Sequence, residues 1–202
     1  KIIAQENTLS SEHPDAILAG VAENPFAIGF VSYAHLAAQD EGLQAVVIDG
    51  IAPNAETVEG GEYALARPLY LYVRADVLRS KPEVAAFSTY YLSQVNQVAE
   101  ELGFFPPSAA VQESAAALLA GKIRGEVLPV VEGDIAISGS ATLYPLTEQV
   151  VESFVAETAF AGEIRNEAVG TKAGFDLLCD EQSIDIAAAS RAMQNAEITT
   201  CN

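Results

Sequence analysis

The chain has 202 residues, half of them hydrophobic, with 28 acidic against 10 basic side chains and a formal net charge of −18. That length supports one large domain or two small ones, and that charge argues against duplex nucleic acid or an anionic membrane surface as a partner, since both need a cationic face. No apolar run approaches the roughly 18 residues of a membrane span, and no secretory leader is visible at Lys1, as expected of a mature or trimmed product.

In chain order, "HPDAILAGVAEN" reads as a short helix, with Pro14 in its first turn and Asn24-Pro25 ending it. "FAIGFVSY" reads as a strand, "AHLAAQDEG" as a helix closed by Gly42, and "LQAVVIDG" as a second, buried strand. Residues 51–68 are turn-rich, with Pro53, Asn54, Gly60 and Gly61. "LYLYV" reads as a strand. The stretch from Lys81 to Gly103 reads as a long amphipathic helix, with Val84, Phe87, Tyr91, Val95, Val98 and Leu102 at helical spacing and Gly103 as its cap. After the loop "FFPPS", a helix is expected over 109–123 and then a connector.

From Asp134 the pattern is strand "DIAISG", helix "PLTEQVVESFVAET", strand "EIRNEAVG", loop "TKAG", short helix "FDLLCD" and strand "IDIAAAS". Strands and helices alternate from end to end. The fold class expected is α/β, with a mainly parallel sheet flanked by helices.

Two cysteines, Cys179 and Cys201, permit one disulfide in an oxidising compartment or two buried thiols in a reducing one, and their spacing leaves both readings open. His13 and His35 show no metal-ligand spacing with them, and no cofactor is expected. The residues that invite chemistry lie at three strand-to-helix junctions, where ligands of parallel α/β sheets sit. These are "SGSATLYP", "VGTKAGF" and "DIAAASRA". Gly139 permits a tight turn before Ser140, Ala141, Thr142 and Leu143, Gly170 and Gly174 bracket Thr171, and a strand ends in Ser190-Arg191. Hydroxyls, bare amides and one guanidinium make a site for a small oxyanion. Taken singly, each loop is read as an ordinary helix cap, and Ser138, Thr147 and Lys172 as structural or solvated. Residues 131–202 carry 12 acids and three bases, so local donors must supply the attraction. No nucleophile–base pair is evident, and an enzyme is not expected.

"ISGSATLYPLTEQVVESF", "VGTKAGFDLLCDEQSIDIAAASRAM" and "AEITTCN" together resemble the opening of the periplasmic phosphate-binding proteins of ABC uptake systems. "NPFAIGFVSYAHL", "LQAVVIDGIAPNAETVEGGEYALARPLYLYV" and "FSTYYLSQVNQVAEELGFFP" resemble the closing stretch of the same family. The chain thus reads as the tail of one binding unit, a connector and the head of a second; a circularly permuted single unit is the alternative. The resemblance implies a periplasmic-binding-protein-like lobe in permuted order, assembled within residues 63–202 from 63–119 and 134–202, with connector 120–133. Residues 1–62 would be the trailing part of a second lobe.

By the same resemblance, Thr142 and the amide of Leu143 match the donors of the family's first loop, with Ser140 and Ala141 beside them. Thr171 matches the hydroxyl of the glycine loop. Ser190 and Arg191 stand where the family places its third group, and Arg191 replaces an Asp that some members hold there. The Arg and Ser-Gly-Thr loop that the family's second lobe contributes have no counterpart, so a partial site is expected; "ENTLSSEH" does not replace them. The resemblance also implies a Cys179–Cys201 disulfide, a periplasmic or cell-surface location, inorganic phosphate as ligand and a transporter permease as partner of the parent protein. Sulfate or molybdate binding, or a structural lobe with an unused pocket, are the alternatives.

Overall fold

The computed structural model describes residues 8, 11, 14–38, 42–123 and 132–201. Most of the hydroxyl-rich stretch 6–13, including His13, and residues 124–131 of the expected connector lie outside the described residues. The chain divides into two compact units, Lys1–Ala64 with Glu101–Phe105, and Leu65–Glu100 with Pro106–Asn202.

In the first unit, helix α1 (Pro14–Ala22) buries Leu18. Helix α2 (Tyr33–Ala37) starts at Ser32, whose side chain accepts from the His35 amide, and is shorter than the sequence pattern implied. Helix α3 (Ala55–Glu59) forms inside the stretch read as turns. There Asn54 and Thr57 make a reciprocal capping box, which satisfies amide groups that so short a helix leaves unpaired.

Two expected strands do not form. "FAIGFVSY" is irregular up to α2, and "LQAVVIDG" contributes a single antiparallel bridge, Ile48 to Ile51. The reason lies in pairing. A strand needs a second strand to complete its ladder, and the sheet among the described residues pairs other segments, 70–73, 135–139, 164–168 and 186–189. Asp49 and Gly50, at φ of 52° and 84°, instead turn the chain back on itself at once. Apolar composition alone suggested burial, yet Phe26 is 95% exposed and Val47 56% exposed.

The second unit is a four-stranded α/β lobe. Its strands are β1 (Tyr70–Val73), β2 (Ile135–Gly139), β3 (Ile164–Ala168) and β4 (Ile186–Ala189), in spatial order β1-β4-β2-β3. β4, β2 and β3 run parallel, and β1 lies antiparallel against β4, pairing Tyr70 with Ala189 and Val73 with Ile186. β4 is wholly buried. Edge strand β3 turns Arg165 and Glu167 to solvent, which blunts pairing with other chains.

Successive strand residues point to opposite faces. Ala187 and Ala189 pack with Phe175, Leu178, Cys179 and Ile184. Phe175 ends helix α8 (Thr171–Phe175), which widens into a π-turn at Asp176–Asp180. Helix α5 (Pro82–Glu101) buries Val84, Phe87, Tyr91 and Val98 of the stripe read from the sequence, while Val95 is half-buried and Leu102 lies past the helix end. It meets helix α7 (Tyr144–Thr158) through edge-on Phe87 and Phe154 rings, with centroids 5.4 Å apart.

Helix α4 (Ala75–Ser80) and helix α9 (Asn195–Cys201) were not anticipated. Helix α6 (Ala109–Lys122) runs into the expected connector. Cys179 and Cys201 form a disulfide that ties the π-turn to α9. Among the described residues, no helix is long and apolar enough to cross a membrane.

Candidate functional site

β2, β3 and β4 end at one level of the sheet. Gly139 of β2 pairs with Ala168 of β3 on one side and Ala188 of β4 on the other. The three junctions singled out in the sequence therefore emerge along one edge.

Backbone bonds lock them together. The Ser140 amide donates to Ala188 O at 2.8 Å, and the Gly170 amide donates to Gly139 O at 2.7 Å. Such close approach requires glycine at 139. Its φ is 146°, and a Cβ there would sit 2.0 Å from Ala188 O. Gly174 is constrained from the same side, since a Cβ would meet Gly139 Cα at 2.9 Å.

The hydroxyls then converge. Thr171 Oγ1 accepts from the Ser190 amide at 3.1 Å and lies 3.3 Å from Ser190 Oγ. Whichever of the two hydroxyls donates to the other, the second keeps its proton for an outside acceptor. In the first loop, Ser140 Oγ accepts from the Thr142 amide at 3.2 Å, and Ser140 is itself buried. Thr142, Thr171 and Ser190 are half-buried, and Ala141 is exposed. The Leu143 amide, expected as a donor, is turned inward to Ser140 O at 3.1 Å, and the Leu143 side chain is buried. Helix α7 begins at Tyr144, straight after this loop, with Pro145 in its first turn and no side-chain cap.

Arg191 stands at the same edge but its guanidinium is engaged. Nη2 donates to Glu197 Oε1 at 2.7 Å and Nη1 to Glu197 Oε2 at 2.8 Å. The guanidinium also lies 5.2 Å above the Phe175 ring. The Arg191 hydrogen bonds, more than its charge alone, hold the Glu197 carboxyl down at about 2.

No protein-family model matches the chain. The chain is 32% identical to Protein SphX of Synechocystis sp. over 105 residues, which are 50% of this chain and 31% of that protein. It is 28% identical to Phosphate-binding protein PstS of Staphylococcus epidermidis over 95 residues, covering 45% of this chain and 29% of that one. Against Phosphate-binding protein PstS of Staphylococcus aureus it is 28% identical over 111 residues, covering 52% and 34%. In structure it is similar to a phosphate-binding protein of a phosphate ABC transporter from Streptococcus pneumoniae, with a TM-score of 0.69 and 22% identity, over 96% of this chain and 68% of that one. The chain is related to phosphate-binding proteins. The matched stretch spans about a third of the length of these curated relatives, and the structural likeness fixes the α/β lobe.

Residues that sequence reading missed are Glu197 and Phe175, which hold Arg191. Glu197 was legible as a helix-start signal, since its carboxylate accepts from the Gln194 amide at 2.7 Å, the Gln-x-x-Glu half of a capping box. Lys172 is exposed and paired with Asp176 at 2.6 Å, so it is no part of the convergence. A hollow of about 290 Å³ lies at the other end of the strands, around Lys81, Asp134, Arg165 and Asp185, away from the three loops. Among the described residues, no group of His, Cys, Asp and Glu has the arrangement of a metal site.

Proposed function

We propose that the edge formed by Ser140, Ala141, Thr142, Leu143, Thr171, Ser190 and Arg191 is one side of a binding site for inorganic phosphate. The chain would serve as a non-catalytic solute-binding module of an ABC-type uptake system, outside the cytoplasmic membrane and facing a permease. The observation that carries this is the meeting of Thr171 and Ser190 hydroxyls, 3.3 Å apart, beside the Ser140–Thr142 loop at the carboxyl ends of parallel strands. Relationship to phosphate-binding proteins supports the choice of anion.

On this reading the chain supplies the tail of one unit and the head of a second, or a circularly permuted single unit; residues 63–119 and 134–202 make one lobe, and the Arg and Ser-Gly-Thr loop of the family's second lobe have no counterpart in the sequence. A partial donor set of this kind binds an anion weakly, and affinity of about a millimolar is expected. Calorimetric titration with phosphate, sulfate and molybdate tests the reading. Phosphate heat that vanishes in Thr142→Val, with an unchanged melting temperature, supports it. A preference for sulfate or molybdate replaces phosphate with another oxyanion. No heat with any of the three at tens of millimolar leaves the lobe a structural or partner-binding element.

A further inference from the structure

We infer that the hollow at the starts of β2, β3 and β4 is a second binding site, for a free amino acid with an apolar side chain. It lies at the opposite end of the strands from the three loops, and it does not rest on the reading of that edge as an anion site.

The hollow of about 290 Å³ adjoins a smaller one of about 190 Å³, and the two share Ala136, Arg165, Ser183 and Ile184. Strand register explains the space. Ala136 pairs with Arg165 and Ser138 with Glu167, so all four side chains stand on one face of the sheet. On β2 those side chains are small and leave room that larger residues would fill. Leu177 and Ile184 wall the smaller hollow on its other side and make it apolar there. The rim next to Ser183 is Gln182, held at φ 52°, a left-handed conformation that costs energy in any residue with a side chain.

The charges in the larger hollow divide into spent and unspent. Lys81 and Asp185 hold each other at 2.8 Å, and Asp185 also takes the Ala136 amide, so this pair is structural and neutral in sum. Arg165 and Glu163 are different. They stand two residues apart, with the Glu163 carbonyl continuing the ladder by accepting from the Ile135 amide at 2.9 Å. Both therefore project from the same face, with Cα atoms about 7 Å apart. Neither side chain makes a hydrogen bond or ion pair among the described residues, and neither does the Ser183 hydroxyl. An unpaired guanidinium takes a carboxylate through two parallel bonds, and an unpaired carboxylate takes an ammonium. A free amino acid carries both groups on one carbon. It is also the ligand that the field admits: a net charge of −18 repels a simple anion, and Arg165 repels a simple amine, but a zwitterion has no net charge. With its head group between Arg165 and Glu163, its side chain reaches the apolar wall of Leu177 and Ile184.

Calorimetric titration and amide chemical-shift mapping of the full chain with L-leucine test this. Leucine should bind at about a millimolar and shift the amides of Arg165, Ser183 and Ile184, not those of Thr171 and Ser190. 4-Methylpentanoate lacks the ammonium and 3-methylbutylamine lacks the carboxylate, and each should bind at least about tenfold more weakly. Arg165 and Glu163 are exposed, so Arg165→Met and Glu163→Gln should melt like the wild type. Each should lower leucine affinity about tenfold. Phosphate titrations of these variants should match the wild type, and saturating phosphate should leave leucine binding unchanged. The inference is overturned by no leucine heat or shift at about 50 mM, by full leucine affinity in Arg165→Met or Glu163→Gln, by equal binding of either truncated analogue, or by competition from phosphate. Leucine bound at Arg165 with no phosphate bound anywhere upholds this site and removes the proposed function.

Discussion

The Gly170 amide donates to the Gly139 carbonyl at 2.7 Å, and this one bond joins the first two loops of the edge. It forms because Gly139 has no side chain. Its φ of 146° is costly for any L-residue, and the space where a Cβ would go is filled by the Ala188 carbonyl. Gly139→Ala must therefore push β4 from β2. The expected loss is about 3 kcal/mol or more, combining overpacking with backbone strain. Urea unfolding measures it; a loss below about 1 kcal/mol would show that the two strands can part without cost.

Thr171 has a structural duty as well as a proposed ligand role, and the two can be separated. Its Oγ1 is the acceptor for the Ser190 amide. Thr171→Val leaves that amide unpaired and should cost about 1–3 kcal/mol. Thr171→Ser keeps the acceptor and should restore most of the stability. If Val and Ser variants melt alike, the bond contributes nothing to the fold.

Singly, a glycine- and hydroxyl-bearing loop after a strand reads as an ordinary helix cap; these loops were legible because three follow successive strands, which lie along one edge once the strands are parallel. Helix α5 was legible for a different reason: Val84, Phe87, Tyr91 and Val98 repeat at helical spacing and all four are buried. What sequence could not carry was partnership. "FAIGFVSY" and "LQAVVIDG" have the composition of buried strands, but composition names no neighbour, and the Asp49-Gly50 turn decided the local outcome. Arg191 was visible as a cation. That Glu197, six positions on, would occupy it depended on a short helix, α9, whose only sequence mark was a Gln-x-x-Glu start.

Long-range partnership is equally hidden in Lys81 and Asp185. Lys81 Nζ donates to Asp185 Oδ2 at 2.8 Å and to Asp134 O at 2.7 Å, and the same Oδ2 accepts from the Ala136 amide at 3.0 Å. The pair ties the approach to α5 to the starts of β2 and β4. Asp185 is buried, so Asp185→Ala leaves the Ala136 amide without this acceptor and takes one partner from the Lys81 ammonium, which keeps Asp134 O. About 2–4 kcal/mol of destabilisation is expected. Lys81→Met should cost less, since the Lys81 side chain is 33% exposed and its aliphatic stem is preserved. Chemical denaturation of both singles and the double gives the coupling; simple additivity would show that the contact carries no energy.

The pH dependence of stability has two flanks with opposite signs. Glu197 is held at about 2, against an ordinary 4.5, chiefly by the Arg191 hydrogen bonds. A depressed carboxyl stabilises the fold above its unfolded pKa, and that contribution is lost as pH falls from about 4.5 through about 2. Tyr90 is pushed up to about 12, first by burial and then by its bond to Glu157, whose Oε2 accepts from the phenol at 2.7 Å. A raised phenol stabilises the fold below its unfolded pKa of 10, and that contribution is lost as pH rises from about 10 through about 12. Melting temperature against pH should fall on both flanks. Glu197→Gln should flatten the acid flank alone, because a side-chain amide has no proton to gain there. Tyr90→Phe should reduce only the alkaline one, where the Tyr91 phenol, also raised by burial, keeps part of the loss, and an acid flank unchanged by Glu197→Gln would assign that loss to other carboxylates.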